Sequence, residues 1–300
     1  MNSVFYYLFI MIFIIDSGST KCDWIAIDPK TGAQVFEKQR TKGLNPAIIS
    51  ESEAYSIIND NKMLIKHKSD VDHVFFYGAG CGTVEAPKML KKVLQSIFTN
   101  AEVDVKEDTY AAIYSTVGVE HGPAVVCILG TGSNCTYFDG TNIHQRVISL
   151  GYSIMDDASG NYFGRQLLRD YYFNFMPHDL KLIFKTRYNM DDDFIKVNLY
   201  KKPNPNAYLA TFAEFLILNK ESEYVQKVIK KGLRTFVETM IMQFKDEIKT
   251  VPVHFAGSIS FFLQREIKEV AQEYGFTVGN FQRRPIEGLA DYHVRQIKAV

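Results

Sequence analysis

Two short apolar runs in this chain each lead straight into a turn of small residues carrying hydroxyl and amide groups. Met11 to Ile15 runs into Asp16-Ser17-Gly18-Ser19-Thr20 and then Lys21, and Ala124 to Leu129 runs into Gly130-Thr131-Gly132-Ser133 and then Asn134. A phosphate chain approaches a main chain closely only where side chains are small, and its oxygens need N–H and O–H donors. Both turns are therefore candidate phosphate cradles. In the first, Ser17, Gly18, Ser19 and Thr20 offer hydroxyls and amides, Lys21 adds a cation, and Asp16 is a carboxylate suited to a water-coordinated Mg²⁺. The second offers similar donors without a charge. A single glycine-rich hairpin is ordinary, so the weight rests on the pair. Neither turn has the G-x-x-x-x-G-K-[ST] spacing or the dinucleotide-binding glycine fingerprint.

A third segment, Val251 to Ser260, places Gly257 and Ser258 between a buried strand and a helix start. It suits an adenosine or phosphate docked on the helix end, and equally suits tight strand-to-helix packing. Asp108 stands where a strand passes into a helix. A carboxylate there can accept a proton at the edge of a cleft, or it can serve as a helix N-cap. His121, His144 and His254 show no metal-ligand spacing.

The elements that must position these residues follow a repeated order. Strands at Met11–Ile15, Cys22–Ile27 and Ala33–Arg40, separated by turn residues, predict an antiparallel meander. The same order recurs at Ala124–Leu129, Asn134–Phe138 and Asn142–Ile148, with Asp16-Ser-Gly-Ser superposed on Gly130-Thr-Gly-Ser. Between the meanders the pattern predicts a helix over Ser50–His67, a strand over His73–Tyr77, a helix over Glu85–Phe98, a strand over Ala101–Val105 and a helix from Asp108. Later come helices over Asn161–Tyr172, Pro205–Asn219 and Tyr224–Lys249, a strand over Val251–Phe255 and a helix over Ser260–Tyr274. A repeat of this length predicts a duplicated α/β domain with a cleft between the halves. The expected domains are 11–118 and 119–300, with the boundary near Val117–Gly122 and the last helix a candidate to pack back on the first.

Composition narrows the class. Lys plus Arg and Asp plus Glu are 34 each, so no net field draws the chain to a polyanion, and nucleic acid is not expected as a partner. Cys22, Cys81, Cys127 and Cys135 lack C-x-x-C spacing and read as reduced thiols of a cytoplasmic protein. Val4 to Ile15 is apolar, but no Lys or Arg precedes it and it is shorter than the ~20 residues that span a bilayer. No membrane partner is expected, and Met1 to Ile10 reads as a short extension.

These motifs resemble the actin-like ATPase superfamily and, within it, the N-acetylglucosamine kinases and BadF/BadG-type ATPases. The resemblance rests on Asp16-Ser-Gly-Ser-Thr-Lys-Cys-Asp-Trp24, Leu129-Gly-Thr-Gly-Ser-Asn134 and Ala256-Gly-Ser258, and covers nearly the whole chain from Met11. It implies duplicated ribonuclease H-like halves, ATP with Mg²⁺ as cofactors, a small sugar as substrate, and a homodimer among the assemblies open to it. Asp108-Thr-Tyr-Ala-Ala112 matches the segment whose Asp is the family's catalytic base. Gly43-Leu-Asn45 matches a sugar-binding stretch, which implies Asn45 as a contact. Met155-Asp-Asp-Ala-Ser-Gly160 matches a G-D-E-G-S segment and implies Asp156 as a further sugar contact, and the family segment just before it, here Ser149-Leu-Gly151-Tyr152, implies Gly151. It departs from the pattern with Met155 and Ala158 for glycines and Asp157 for the Glu. The expectation is transfer of the ATP γ-phosphoryl group to the 6-hydroxyl of an N-acetylhexosamine. Two other readings stay open: an ATPase that activates a partner reductase or dehydratase, and a sensor that binds without turnover.

Overall fold

The computed structural model describes residues 11–18, 21–82, 85–119 and 122–298. Met1 to Ile10, Ser19 and Thr20 lie outside the described residues, as does His121. The chain divides into two compact units, residues 1–120 with 284–300, and 121–283. The last helix thus groups with the first unit.

The first unit is built on β1 (Ile12–Ser17), β2 (Lys21–Ile27), β3 (Gln34–Lys42), α1 (Glu51–Asn59), α2 (Lys62–Lys66), β4 (His73–Gly78), α3 (Glu85–Ile97), β5 (Glu102–Glu107) and α4 (Asp108–Val117). Its sheet has the order β3-β2-β1-β4-β5. The first three strands form an antiparallel meander, and β4 and β5 join in parallel. β1 is central, which is why its residues are apolar on both faces. Phe13 and Ile15 pack with Trp24 and Phe76 on one side; Ile12 and Ile14 pack with Ile25, Ile27 and Tyr77 on the other. The alternation of a strand then carries Asp16 onto the second face.

The second unit continues with β6 (Ala124–Leu129), β7 (Ser133–Phe138), β8 (Ile143–His144), α5 (Gly160–Tyr172), α6 (His178–Arg187), α7 (Asp192–Tyr200), α8 (Pro205–Thr211), α9 (Ala213–Leu218), α10 (Glu223–Thr239), β9 (Val253–Ala256), α11 (Ser258–Phe262), α12 (Gln264–Tyr274) and β10 (Val278–Gln282). Its sheet order, β10-β9-β6-β7-β8, is the same arrangement with β6 in the place of β1. The expected duplicated α/β architecture is present. The chain ends in α13 (Pro285–Lys298), whose Ile286 and Leu289 complete the first unit's second core face against Ile12 and Ile14. His293 of α13 is buried there, with Nε2 2.8 Å from the Tyr77 hydroxyl. Among the described residues no helix is long and apolar enough to cross a membrane.

Several expected elements are divided. The helix over 50–67 is two, because the Asn61 side chain accepts the N–H groups of Met63 and Leu64 and starts a second helix. The helix over 205–219 breaks at Phe212, and the one ending at Tyr274 breaks at Leu263 and begins earlier, at Ser258. The helix from 224 stops at Thr239 and goes on as short 3₁₀ turns. The strand over 142–148 shrinks to Ile143–His144.

Register also corrects the superposition of the two turns. The last pair of the first hairpin is Ser17 with Cys22, and that of the second is Leu129 with Ser133. Gly18 donates its N–H to the Lys21 carbonyl and Gly130 donates to that of Gly132, at 2.9 Å each. Gly18 therefore corresponds to Gly130, two residues from the alignment read in the sequence, and the first turn is one residue longer.

Candidate functional site

In the first unit the site grows from the end of β1. Asp16 and its cross-strand partner Asp23 share the sheet face that α4 covers with Ala111. Arg40 holds Asp23 through two hydrogen bonds, Nε to Oδ1 at 2.7 Å and Nη2 to Oδ2 at 3.1 Å. Among the described residues no arginine pairs with Asp16 in this way. Burial, then the Asp108 carboxylate, then Asp23 push its pKa up to about 7, against a pull from Lys21 and Lys38.

Asp108 is the first residue of α4; the N-cap is Glu107, whose side chain makes no capping bond. The N-cap reading of Asp108 thus belongs to its neighbour. Burial and then Glu107 push Asp108 up to about 6, although the N–H of Thr109 and its own N–H stabilise the anion. Two carboxylates with raised pKa values on one face make a candidate site.

Ser17 has a different task from the one its place in the turn implied. Its hydroxyl accepts the Leu44 N–H at 2.8 Å and its carbonyl accepts the Ala79 N–H at 2.9 Å. It ties together β1, the segment carrying Asn45 and the segment after β4. Asn45 is buried, and its Oδ1 accepts the Ala47 N–H at 2.9 Å. The segment after β4, Gly78 to Gly82, escaped the sequence reading. Gly80 has φ of +82° and leaves no room for a Cβ against the Asn45 side chain; a Cβ at Gly82 would lie 2.7 Å from Glu107 Oε1. The alternating glycines after a buried strand were the available signal.

In the second unit the turn after β6 is fastened to the start of α5. Gly160 N–H donates to the Gly130 carbonyl at 2.8 Å, and Asn161 N–H to the Thr131 carbonyl at 3.0 Å. Every peptide bond described is trans, so the N–H of each peptide points opposite its carbonyl. With the carbonyls of Gly130 and Thr131 turned to α5, the N–H groups of Thr131 and Gly132 point away from it. Two successive outward amides are the elements of an anion-binding nest. The Ser133 N–H is differently engaged: it donates to Asp156 Oδ1 at 3.1 Å.

Gly18 and Gly130 share a further property. Neither has a left-handed φ, and among the described residues a Cβ would find nothing nearer than 3.8 Å at Gly18 and nothing within 4 Å at Gly130. Folding within each unit does not demand glycine at either place. Close approach of a ligand would. Gly257 is the opposite case: φ is +112° and a Cβ would run into the Leu129 carbonyl and lie 3.1 Å from the Gly130 nitrogen. Strand-to-helix packing accounts for it, and α11 is only five residues long. Ser258 is exposed beside it.

The residues expected to contact sugar divide between the units, Asn45 and Asp108 in the first, Gly151 and Asp156 in the second. Gly151 has φ of +79°, and its carbonyl accepts the N–H groups of Ile154 and Met155 at 3.2 and 2.9 Å. Asp156 is buried, and its Oδ2 accepts Asn161 Nδ2 at 2.8 Å. Both its oxygens thus meet donors, one at the end of the turn after β6 and one at the start of α5. Asn161 was not singled out in the sequence; its place one residue into a helix after Ser159, the N-cap, was the signal.

No protein-family model and no curated protein matches the chain. Among solved structures, a candidate N-acetylglucosamine kinase from Porphyromonas gingivalis is 31% identical, over 95% of this chain and 99% of that one, with a TM-score of 0.87. A second candidate N-acetylglucosamine kinase, from Chromobacterium violaceum, is 12% identical with a TM-score of 0.63, covering 94% of this chain and 98% of that one. A ROK-family glucokinase from Streptomyces griseus, solved with glucose and AMPPNP, is 14% identical with a TM-score of 0.56, over 95% and 97%. The last two are likenesses of fold. By its identity and coverage the chain belongs to the family of the Porphyromonas gingivalis protein, within the sugar kinases of actin-like fold.

Proposed function

We propose that this protein is an ATP-dependent sugar kinase whose preferred acceptor is N-acetylglucosamine, phosphorylated at the 6-hydroxyl. The observation that carries the reading is Asp108: a half-buried carboxylate beside Asp16, with its pKa raised to about 6. A general base works best with a pKa near the operating pH. The family likeness to a candidate N-acetylglucosamine kinase supports the choice of acceptor.

In this reading Asp108 accepts the proton of the sugar hydroxyl as that oxygen bonds to the γ-phosphorus and the bond to the β-bridging oxygen breaks, giving sugar phosphate and ADP. The outward N–H groups of Thr131 and Gly132 hold phosphate oxygens, and Gly18 and Gly130 let them approach. Ser19, Thr20 and Lys21 supply the remaining donors of the first turn, and Ser133 keeps the second in shape. Asn45 and Gly151 belong to the sugar contacts, and Ser258 to the adenosine contacts, with Gly257 holding the end of β6 in place.

The residues fit a divalent cation. Asp16 is a half-buried carboxylate whose pKa is raised by desolvation and then by its acidic neighbours, and a positive charge would relieve that repulsion. Bound with the nucleotide, Mg²⁺ would screen phosphate charge. The direct test is ADP release with a panel of N-acetylglucosamine, glucosamine, N-acetylmannosamine and glucose. The proposal expects release that depends on sugar and is fastest with N-acetylglucosamine; sugar-independent release would overturn it.

A further inference from the structure

We infer that Asn161 is a positioning residue for the acceptor: its side-chain amide holds the Asp156 carboxylate where a sugar hydroxyl meets it. The inference rests on the proposed function, with Asp156 as the sugar contact that its motif implies. Asn161 is fully buried in the first turn of α5, and its Nδ2 reaches two acceptors, Asp156 Oδ2 at 2.8 Å and the Thr131 carbonyl at 2.7 Å. An amide nitrogen carries two hydrogens, so both are spent. Turned over, the amide would set its oxygen against two acceptors, and the contacts therefore fix its orientation. The cost is visible: Asn161 Oδ1 is buried and has no hydrogen-bond partner among the described residues. A side chain that only filled space would carry no such unpaired atom.

Asp156 depends on that amide. Its Oδ2 takes the Asn161 hydrogen and its Oδ1 takes the Ser133 N–H at 3.1 Å, one donor to each oxygen. Each oxygen keeps a lone pair, which is what a sugar hydroxyl needs of its acceptor. The backbone beneath is strained: Asp156 has φ of +67° and Ala158 of +56°, left-handed values that non-glycine residues rarely take. Such a segment holds its shape only through its anchors. The Thr131 carbonyl is held differently. It also accepts the Asn161 backbone N–H at 3.0 Å, and the Gly130 carbonyl accepts that of Gly160 at 2.8 Å. Those main-chain bonds survive replacement of the Asn161 side chain, whereas Asp156 Oδ2 loses its one donor among the described residues. The sugar side of the assembly therefore rests on Asn161 more heavily than the phosphate turn does.

The test is calorimetric titration of wild type, Asn161→Ala, Asp156→Ala and the double variant with N-acetylglucosamine and, separately, with Mg·AMPPNP, alongside melting curves. Asn161→Ala should weaken sugar binding by about tenfold, the worth of one hydrogen bond to a charged group, and AMPPNP binding by less than about threefold. The double variant should bind sugar no worse than Asp156→Ala, because Asn161 acts through that carboxylate. Asn161→Asp supplies a second readout, which also serves if the alanine variant fails to fold. At about pH 8 it faces Asp156 with like charge and should lose sugar affinity; toward about pH 5 one carboxyl of the pair keeps a proton to donate, and the deficit against wild type should shrink. Sugar affinity of Asn161→Ala within about twofold of wild type would overturn the inference. So would a loss of AMPPNP affinity as large as that of sugar, tracking the melting temperature, or a deficit in Asn161→Asp that does not change with pH. Asp156→Ala that binds sugar as wild type does would instead overturn the reading of Asp156 as a sugar contact, and wild type that binds no N-acetylglucosamine would overturn the proposed acceptor. The inference falls with either.

Discussion

The hydroxyl of Ser17 accepts the backbone N–H of Leu44 at 2.8 Å, with both residues buried. One side chain at the end of the central strand thus holds the segment that carries Asn45. Ser17→Ala leaves that N–H buried without its acceptor, at a cost of about 1–3 kcal/mol. The KM for sugar should rise by about fivefold and by more than the KM for ATP, since the hydroxyl's bond into the first turn, to the Gly18 carbonyl, is the longer one at 3.3 Å. Equal rises in both constants in steady-state kinetics would contradict this division.

Gly18 and Gly130 leave room for a methyl group, so Gly18→Ala and Gly130→Ala should fold with melting temperatures close to wild type. Each should still weaken Mg·AMPPNP binding, by about tenfold or more, because the methyl stands where phosphate must approach. Gly257→Ala should do the reverse and lose stability first, since its φ of +112° and its contact with Leu129 leave no place for a side chain. Unchanged nucleotide affinity in both Gly18→Ala and Gly130→Ala would show that the paired turns are architecture only.

Burial and like charge raise Asp16 to about 7 and Asp108 to about 6, from 3.8. A carboxyl raised on folding contributes stability below its unfolded pKa and loses it as pH rises through the folded one. At pH 8 both groups are ionised and the folded state bears the cost; at pH 4 it bears little. Asp16→Asn and Asp108→Asn should therefore melt higher than wild type at pH 8, by at least about 2 °C, with the gain shrinking toward pH 4. A gain that does not depend on pH, in thermal scans across that range, would mean that charge is not its cause.

The strands that carry the site were legible because their apolar runs are long and end in turn residues: β1, β4 and β6 lie within two residues of where the pattern puts them. Helix ends were less so, since Asn61 restarts a helix through its own side chain and Phe212 closes one helix and opens the next. Asp108 stood out by its motif. Its approach to Asp16 did not, because that depends on β1 and the start of α4 meeting across the sheet, over ninety residues apart in the chain. The contacts of Asp156 were hidden for a similar reason: nothing in a string of letters says that its carboxylate takes the Ser133 N–H and the Asn161 amide.

In the proposed reaction Asp108 removes the proton of the sugar hydroxyl. The rate of N-acetylglucosamine phosphorylation by wild type and Asp108→Asn from pH 5 to 8 tests this step. The wild-type kcat should rise with pH around an apparent pKa near 6 and level off, as the base loses its proton. Asp108→Asn should bind AMPPNP nearly as wild type does, lose roughly 10² to 10⁴ in kcat and lose that pH dependence. A variant that keeps more than about a tenth of the wild-type rate, or the same rise with pH, would show that the proton goes elsewhere.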